Sequence, residues 1–318
     1  MLKMKIAVCC TDTRVEPWLA GLRLALPGAN IFLVDPEASS FEHLEQADFA
    51  VVWAPPQGFI NSQRSLKAIF NIGAGVDALM KLRLPAGVPV VRLDDAGMAV
   101  QMAEYVCHTV IRHFRELDVY EAEAAQGRWA HRKPRRRAEF TVGIMGLGVL
   151  GARVSQALTQ FDFPVLGWSR SPRQLAGVQC FAGEGGLADF LAATQVLVCL
   201  LPLTPATEGI MRRETLQQLK PGAYVINVAR GGHLVDEDLL ALLDSDHLAG
   251  ATLDVFRTEP LPAGHPFWQH PKITITPHTS ARTLRDESIA QIAGKLAALE
   301  NGQALASLAG VVNPDQGY

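Results

Sequence analysis

The sequence has no apolar run long enough to cross a bilayer and no cysteine pattern typical of disulfides or metal sites. A membrane-spanning helix needs roughly 20 consecutive apolar residues, and the 318-residue chain contains no such run. The first apolar stretch, "IAVCC", is followed so closely by Thr11 and Arg14 that it predicts a β-strand rather than a signal peptide. Five scattered cysteines favour reduced thiols in the cytoplasm, without a metal and without a membrane partner.

A large excess of either charge is also absent. The chain has 29 Lys and Arg residues against 32 Asp and Glu residues, and its formal net charge is −3. Nothing global therefore favours a nucleic-acid partner or an anionic membrane. The strongest local charge run is "HRKPRRR" at residues 131–137. One interpretation is a patch that binds phosphate or nucleic acid. The other is a solvated arm leading into the next domain, which the short length of the run and its proline favour. The role of residues 132–137 stays open.

What is present is a pattern of short apolar runs that alternate with helical stretches. Hydrophobic residues make up 48% of a chain long enough for two domains. One series covers residues 5–100 and a second begins at Phe140, with a long helical pattern over residues 98–125 between them and another after residue 283. The pattern predicts the α/β class, with two Rossmann-like or flavodoxin-like doubly wound parallel-sheet domains. The predicted strands are "KIAVCC", "NIFLV", "DFAVVWA", "LKAIFNIG", "VPVVRL", "TVGIMG", "PVLGWS", "TQVLVCLLP", "AYVINVA", "GATLDVF" and "ITITP".

A glycine motif opens the second series. In "TVGIMGLGVLGARVSQAL", Gly146, Gly148 and Gly151 have the G-x-G-x-x-G spacing, after an apolar strand and before a helical pattern. The first glycine permits a tight turn, the second lets a pyrophosphate approach the backbone, and the third lets the helix pack close to the strand. The alternative is a plain strand–helix turn. The context favours a dinucleotide site at the N-terminus of the helix.

The next strand ends in "VLGWSRSP", residues 165–172, about 20 residues beyond the glycines. An acid at this point accepts hydrogen bonds from the ribose hydroxyls of NAD, but here Ser169, Arg170 and Ser171 follow instead. A guanidinium attracts the 2′-phosphate that an acid repels. The stretch therefore predicts NADP(H), with weaker use of NAD(H) and with Arg173 as a helper. The alternative is a surface arginine without a ligand.

Three polar residues follow three successive predicted strands. Arg230 ends "AYVINVAR", Glu259 lies in "GATLDVFRTEP", and His278 lies in "ITITPH". The carboxyl ends of parallel strands line the ligand crevice of an open sheet, so we expect the three side chains to share one site. Together they suit hydride transfer to a 2-ketoacid: Arg230 binds the carboxylate, and His278, with Glu259 stabilising its charged form, protonates the developing alkoxide.

The order and the sequences of these motifs closely resemble those of the D-2-hydroxyacid dehydrogenase family, over essentially the whole chain. The stretches that carry the resemblance are "GIMGLGVLG", "NVARGG", "LDVFRTEPLP" and "ITPHTSA". The resemblance implies a substrate domain from residues 1–99 and 283–318, a dinucleotide-binding domain from residues 100–282, and an active site in the cleft between them. It implies Arg230, Glu259 and His278 as catalytic residues, and backbone N–H groups of Ala74 and Gly75 in "NIGAGVD" as ligands of the substrate carboxylate.

The resemblance also implies further cofactor contacts and an oligomer. Most members are homodimers joined through the cofactor domains, and residues 98–125 with the basic arm would supply that contact here. The expected cofactor-binding residues are Gly146, Gly148, Val149, Leu150, Gly151, Ser169, Arg170, Ser171, Leu201, Pro202, Thr207, Val228, Ala229, Asp254, His278 and Ser280.

Within the family, the chain is most similar to a bacterial branch that reduces glyoxylate and hydroxypyruvate. The stretches "VVWAPP", "GAGVD", "GMAVQMAEY", "WSR", "PFWQHP" and the terminal "GY" carry this similarity, which implies Trp53 as a wall of the substrate pocket. Phe267 replaces a leucine of that branch, which leaves the side-chain preference open.

Three alternatives to a small-ketoacid reductase follow from the same residues. The first is a reductase of broader or bulkier 2-ketoacids such as phenylpyruvate. The second, a phosphoglycerate-type enzyme, is disfavoured because the chain ends soon after the last helical stretch. The third is a dinucleotide-sensing protein like the corepressors that share this fold. The intact set of Arg230, Glu259 and His278 argues against that third function.

Overall fold

The computed structural model describes residues 4–11 and 14–313. The chain divides into two compact units, Met98–Arg282 and the remainder on either side of it, up to Gly97 and from Thr283. Each unit contains one wholly parallel sheet, which confirms the predicted fold class. None of the helices within the described ranges is long and apolar enough to cross a lipid bilayer. All five cysteines are free thiols.

The first unit is built on a five-stranded sheet with the order β2-β1-β3-β4-β5. Its strands are β1 (Lys5–Cys10), β2 (Asn30–Leu33), β3 (Phe49–Trp53), β4 (Ala68–Asn71) and β5 (Val90–Val91). Its helices are α1 (Glu16–Ala25), α2 (Gln57–Ser62) and, after the second unit, α9 (Arg285–Glu300). Alternate residues of β1 enter two separate cores, because successive strand side chains point to opposite faces. Ile6 and Val8 pack with α1 and α9, whereas Ala7 and Cys9 pack with α2.

The last described residues pair with this sheet. Val311 forms an antiparallel bridge with Val91, and the backbone N–H of Val312 donates to the carbonyl of Val90 over 2.8 Å. The terminal "GY" that contributed to the sequence similarity lies outside the described residues.

The second unit is built on a seven-stranded sheet with the order β12-β11-β10-β9-β6-β7-β8. Its strands are β6 (Val142–Met145), β7 (Val165–Ser169), β8 (Val178–Ala182), β9 (Val196–Cys199), β10 (Ala223–Asn227), β11 (Leu248–Leu253) and β12 (Ile273–Ile275). Its helices are α3 (Met98–Phe114), α4 (Leu117–Ala125), α5 (Val149–Gln160), α6 (Leu187–Ala193), α7 (Arg213–Leu216) and α8 (Asp236–Asp244). Helices α3 and α5 cover one face through residues such as Val106 and Val154.

The strand order of this sheet reverses at β6. The chain moves outward from β6 through β7 to β8, and then returns to β9 on the other side of β6 and continues to β12. Such a switch point opens a crevice at the carboxyl ends of the two central strands. Here β6 leads into the glycine motif and β9 leads into Leu201 and Pro202.

Two features differ from the sequence expectations. The helical pattern over residues 98–125 is not continuous, because the chain turns at Glu116, whose φ of 54° is left-handed, and resumes as α4. Apolar periodicity fades beyond Phe114, so nothing in α4 requires it to continue the line of α3. Strand β8 was not predicted. It lies at the sheet edge, and the exposed Gln179 interrupts its apolar sequence.

The basic run is tied to its own domain. Arg132 and Arg135 both contact the Glu116 carboxylate, at 2.9 and 3.4 Å, and the Arg137 guanidinium lies over the rings of Phe114 and Phe163. Arg132 and Arg135 hold the pKa of Glu116 below its usual range, with the hydrogen bond from Arg132 as the main cause. The run therefore fixes the segment that follows the turn at Glu116.

Candidate active site

The glycine motif forms a tight turn between β6 and α5. Gly146 has a φ of 109°, and a Cβ atom there would lie 2.7 Å from the carbonyl oxygen of Leu200, just beyond β9. A Cβ atom on Gly151 would overlap the carbonyl oxygen of Gly146. The first and third glycines are thus required by the turn and by the approach of α5 to β6.

Gly148 has a different environment. It precedes the first residue of α5, and a Cβ atom there would meet nothing within 4 Å. The unpaired N–H groups and the positive end of the helix dipole at this terminus attract anions. The space beside Gly148 is therefore open at the N-terminus of α5.

The carboxyl end of β7 lacks an acid. The hydroxyl of Ser169 donates to the carbonyl oxygen of Ser171 over 2.8 Å, which makes a compact turn. The side chains of Arg170, Ser171 and Arg173 are exposed. The neighbouring Trp168 is buried, and its indole N–H donates to the carbonyl of Gly183 over 2.9 Å. The turn after β7 is therefore anchored at its base and presents guanidinium groups to solvent.

The loop after β9 is closed by hydroxyl contacts. Thr207 donates from Oγ1 to the carbonyl of Pro202 over 2.6 Å and accepts from the backbone N–H of Thr204 over 2.9 Å. Leu201 is buried beside this turn. The predicted cofactor residues of this loop thus shape its backbone.

Arg230 directly follows Val228 and Ala229 at the end of β10. The buried amide of Asn227 donates to the Arg230 carbonyl over 3.0 Å and accepts from the Ala229 N–H over 3.2 Å. The guanidinium Nη1 donates to the Ala229 carbonyl over 2.6 Å. The fully buried His233 adds contacts from its two ring nitrogens to the carbonyls of Arg230 and Pro202, at 3.0 and 3.2 Å. His233 thus links the loops after β9 and β10.

The loops after β10 and β11 are packed against each other. A Cβ atom on Gly231 would overlap the backbone of Phe256 and Arg257. The Arg257 guanidinium donates from Nε to the carbonyl of Leu234 over 3.1 Å. The glycine after Arg230 is therefore needed for the approach of the loop that carries Glu259.

Glu259 and His278 are in direct contact. The Nδ1 atom of His278 lies 2.7 Å from Oε2 of Glu259, and Oε1 of Glu259 accepts from the backbone N–H of Phe256 over 2.9 Å. Because a carboxylate only accepts, Nδ1 carries the proton in this contact. The imidazole side chain is 44% exposed. The pair has the geometry of an oriented proton donor.

A buried carboxylate holds the turn that presents His278. Asp254 is fully buried, and its oxygens accept from the N–H groups of Thr279 and Ser280, each over 2.8 Å, and from the Thr276 hydroxyl over 2.5 Å. Since Thr276 donates to Asp254, the Tyr105 hydroxyl, 2.6 Å away, donates to Thr276. Burial raises the pKa of Tyr105 to about 12.

His278 itself has a left-handed φ of 53°. Its backbone N–H donates to the carbonyl of Asp254 over 2.8 Å. An uncommon backbone conformation of this kind persists where the surroundings fix it, often at functional sites. Asp254 and Ser280, which were expected to touch the cofactor, hold this turn in place.

The first unit has its own group of predicted site residues. The buried amide of Asn71, at the end of β4, donates to the carbonyls of Gly73 and Gly75, each over 2.9 Å. These two bonds turn the carbonyls of the 73–75 loop toward Asn71. Within the loop, Ala74 and Gly75 are half-buried. Trp53, at the end of the adjacent β3, is 37% exposed.

The structure thus brings Glu259 and His278 into contact, and it places Arg230 after the strand next to β11. Three residues that the sequence did not indicate, Asn71, Tyr105 and His233, form hydrogen bonds to the loops that carry the predicted site residues. An amide at the end of an apolar strand is the only sequence signal for Asn71, and the other two show none. No cluster of three or more metal-ligating side chains occurs in the described ranges 4–11 and 14–313.

Comparison with known proteins places this geometry in a family. The sequence model of "D-isomer specific 2-hydroxyacid dehydrogenase, NAD binding domain" matches residues 107–280. A glyoxylate/hydroxypyruvate reductase A from Serratia proteamaculans is 48% identical over 95% of this chain and 96% of its own length.

Two solved structures are similar to the whole chain. A D-isomer-specific 2-hydroxyacid dehydrogenase from Xanthobacter autotrophicus, in complex with NADPH and MES, is 39% identical, with a TM-score of 0.92 over 99% of this chain and 100% of that one. An NADPH-dependent glyoxylate/hydroxypyruvate reductase from Sinorhizobium meliloti, in complex with NADP and sulfate, is 35% identical, with a TM-score of 0.90 over the same shares. The chain therefore belongs to the D-isomer-specific 2-hydroxyacid dehydrogenase family, as its motifs predicted.

Proposed function

We propose that this chain is an NADPH-dependent reductase of small 2-ketoacids, which converts glyoxylate to glycolate and hydroxypyruvate to D-glycerate. The observation that carries the proposal is the 2.7 Å contact between Nδ1 of His278 and Oε2 of Glu259. Glu259 and His278 follow β11 and β12, which are adjacent strands of the seven-stranded sheet. The glycine turn proposed to bind the dinucleotide lies at the switch point of the same sheet. The relatives named for this reaction cover nearly the whole chain.

His278 acts as the proton donor in this mechanism. Glu259 accepts a hydrogen bond from Nδ1–H of the protonated ring and so orients it, and the proton on Nε2 passes to the carbonyl oxygen of the substrate, which leaves a neutral imidazole. NADPH, when bound, supplies the hydride for the carbonyl carbon. The turn held by Asp254 keeps the imidazole in place while its charge changes.

The substrate carboxylate is bound by two kinds of donor. Arg230 contributes a permanent positive charge with a forked set of N–H groups. The backbone N–H groups of Ala74 and Gly75 are the second donors, and the inward pull of Asn71 on the loop carbonyls supports this assignment. In this proposal residues 1–99 and 283–318 form the substrate domain, and residues 100–282 form the dinucleotide domain.

The cofactor is held by the glycine turn and by the turn after β7. The open space at Gly148 supports binding of the pyrophosphate, and the exposed Arg170 and Ser171 support recognition of a 2′-phosphate. NAD(H) lacks that phosphate and is used more weakly. Val149, Leu150, Leu201, Pro202, Thr207, Val228 and Ala229 border the same edge of the sheet.

The test is a substrate panel assayed with both cofactors. With NADPH as the cofactor, its absorbance falls when glyoxylate or hydroxypyruvate is added. With NADH as the cofactor, the absorbance of NADH falls more slowly. A protein that binds NADPH but oxidises none of it with any 2-ketoacid is a dinucleotide sensor, and the proposal would then be wrong.

We also propose a homodimer in a reducing, cytoplasmic setting. In the described part of the chain, α4 has no buried residue, and the ring of Trp129 in the following arm is fully exposed. Glu116 nonetheless fixes this segment through Arg132 and Arg135. A fixed segment with exposed apolar groups fits a second copy of the chain. Light scattering gives the mass, and Trp129→Ala shifts the protein toward monomer if the arm is the contact.

A further inference from the structure

The loop at residues 73–75 is in close contact with the indole of Trp53. A Cβ atom on Gly73 would overlap Cζ3 of the Trp53 indole and lie 3.1 Å from its Cη2 atom. The φ angle of Gly73 is not in the left-handed region, so what a side chain at this position would meet is the indole and not a backbone restriction. The indole of Trp53 therefore lies directly on this glycine.

The backbone on both sides of this contact is held in place. Strands β3 and β4 are paired neighbours, with Val52 opposite Asn71, so Trp53 and the loop lie at the same carboxyl edge of the sheet. The Trp53 carbonyl accepts from the N–H of Thr11 over 2.9 Å, and Asn71 anchors the loop. The backbones under the indole and under Gly73 are both tied down, which leaves the ring as the part that can move.

Trp53 is partly exposed at the carboxyl edge of the five-stranded sheet. A large apolar side chain that is 37% exposed at the ligand edge of a parallel sheet presents a flat surface to whatever binds there. The loop on which it rests carries Ala74 and Gly75, the proposed ligands of the substrate carboxylate. If Ala74 and Gly75 bind the carboxylate, the group attached next to it lies on the part of the loop that the indole covers.

We propose that Gly73 and Trp53 form a steric pair that limits the size of the ketoacid side chain. The inference rests on the proposed function and deepens it: hydrogen in glyoxylate and hydroxymethyl in hydroxypyruvate fit under the indole, and the benzyl group of phenylpyruvate does not. Gly73 is the specificity-determining residue, because only a residue without a Cβ atom lets the ring lie this close to the loop.

The experiment compares kcat/KM for glyoxylate, hydroxypyruvate and phenylpyruvate in a double-mutant cycle. Trp53→Ala removes the indole and is expected to raise the ratio for phenylpyruvate over glyoxylate about tenfold or more, the scale on which pocket size alters specificity. Gly73→Ala displaces the ring and changes the same ratio, but it has no effect in the Trp53→Ala background. Gly28→Ala, where a Cβ atom meets nothing within 4 Å, is the matched control.

The outcomes are separable. Wild-type turnover of glyoxylate with a ratio that Trp53→Ala leaves unchanged would overturn the size limit alone. An equal effect of Gly73→Ala with and without the indole would overturn the pairing. Wild-type protein that turns over none of the three acids would overturn the proposed function and the size limit with it. If Gly73→Ala does not fold, the graded series Trp53→Phe, Trp53→Leu and Trp53→Ala still decides, because the size limit requires the ratio to rise as the side chain shrinks.

Discussion

In the seven-stranded sheet, the strand ends of the candidate site lead to charged side chains, whereas in the five-stranded sheet they lead to backbone groups and an indole. Arg230, Glu259 and His278 follow β10, β11 and β12. The corresponding edge of the smaller sheet carries Trp53 and the loop that Asn71 holds by two hydrogen bonds. Two sheets of the same parallel type thus carry different chemistry at equivalent positions.

The difference has a physical basis. A proton donor must change its charge, so it has to be a titratable side chain with a partner that orients it. A carboxylate ligand needs only fixed N–H donors, which a backbone provides without the conformational freedom of a long side chain. Substitutions at the larger sheet should therefore remove a reacting or charged side chain, whereas those at the smaller sheet should act through the shape of a loop.

The largest effect is expected at His278. His278→Gln removes the proton donor and should lower kcat by about 10²- to 10⁴-fold, the usual contribution of general acid catalysis. The dissociation constant of NADPH, measured by fluorescence titration, should change little. His43→Gln, at an exposed position of the other unit, is the control. A large loss of cofactor affinity with an unchanged kcat would contradict the acid role.

Arg230 should give the next largest effect, on KM rather than on kcat. Arg230→Ala removes a charge-assisted hydrogen-bond donor and should raise KM for the ketoacid by about 10- to 100-fold. Arg230→Lys keeps the charge but loses the fork, so it should restore part of the affinity. An unchanged KM in the alanine variant would show that the carboxylate binds elsewhere.

A smaller effect is expected at the turn after β7. Arg170→Ala should weaken NADPH binding about tenfold relative to NADH, since one solvent-exposed guanidinium–phosphate contact is lost. Arg173→Ala, three residues further along the same exposed turn, should have a weaker effect in the same direction. Equal weakening for both cofactors would remove the 2′-phosphate assignment.

These predictions depend on residues that the sequence revealed because each lies beside a recognisable pattern. Arg230 and His278 follow apolar runs, and the glycines have a spacing that only a turn with close helix packing requires. The same reasoning failed where the signal was not local. At the break in the helical pattern, the Glu116 carboxylate is bound by Arg132 and Arg135, which follow α4 in the chain.

Supporting residues were missed for a related reason. Tyr105, in α3, and Thr276, just after β12, are 171 residues apart, and their hydroxyls meet only in the folded domain. Asp254 is predicted to contact the cofactor, and the structure shows in addition that it is buried beneath the His278 turn, where it accepts from the N–H of Ser280. A sequence pattern shows which residue ends a strand, and it does not show which buried partner satisfies that residue.

The smallest effect is expected at Asn71, at the end of β4. Asn71→Ala removes both hydrogen bonds to the 73–75 loop, each worth about 0.5–1.5 kcal/mol, so KM for glyoxylate should rise several-fold while kcat stays close to wild type. Asn71→Asp places a carboxylate against the two carbonyls and should be worse than alanine, because an ionised carboxylate has no N–H to donate. Steady-state kinetics on the two variants separate these outcomes, and the melting temperature of each shows whether the fold is kept. If aspartate and alanine behave alike, the amide does not hold the loop through its N–H groups, and the smaller sheet does not bind the carboxylate through an Asn71-ordered backbone.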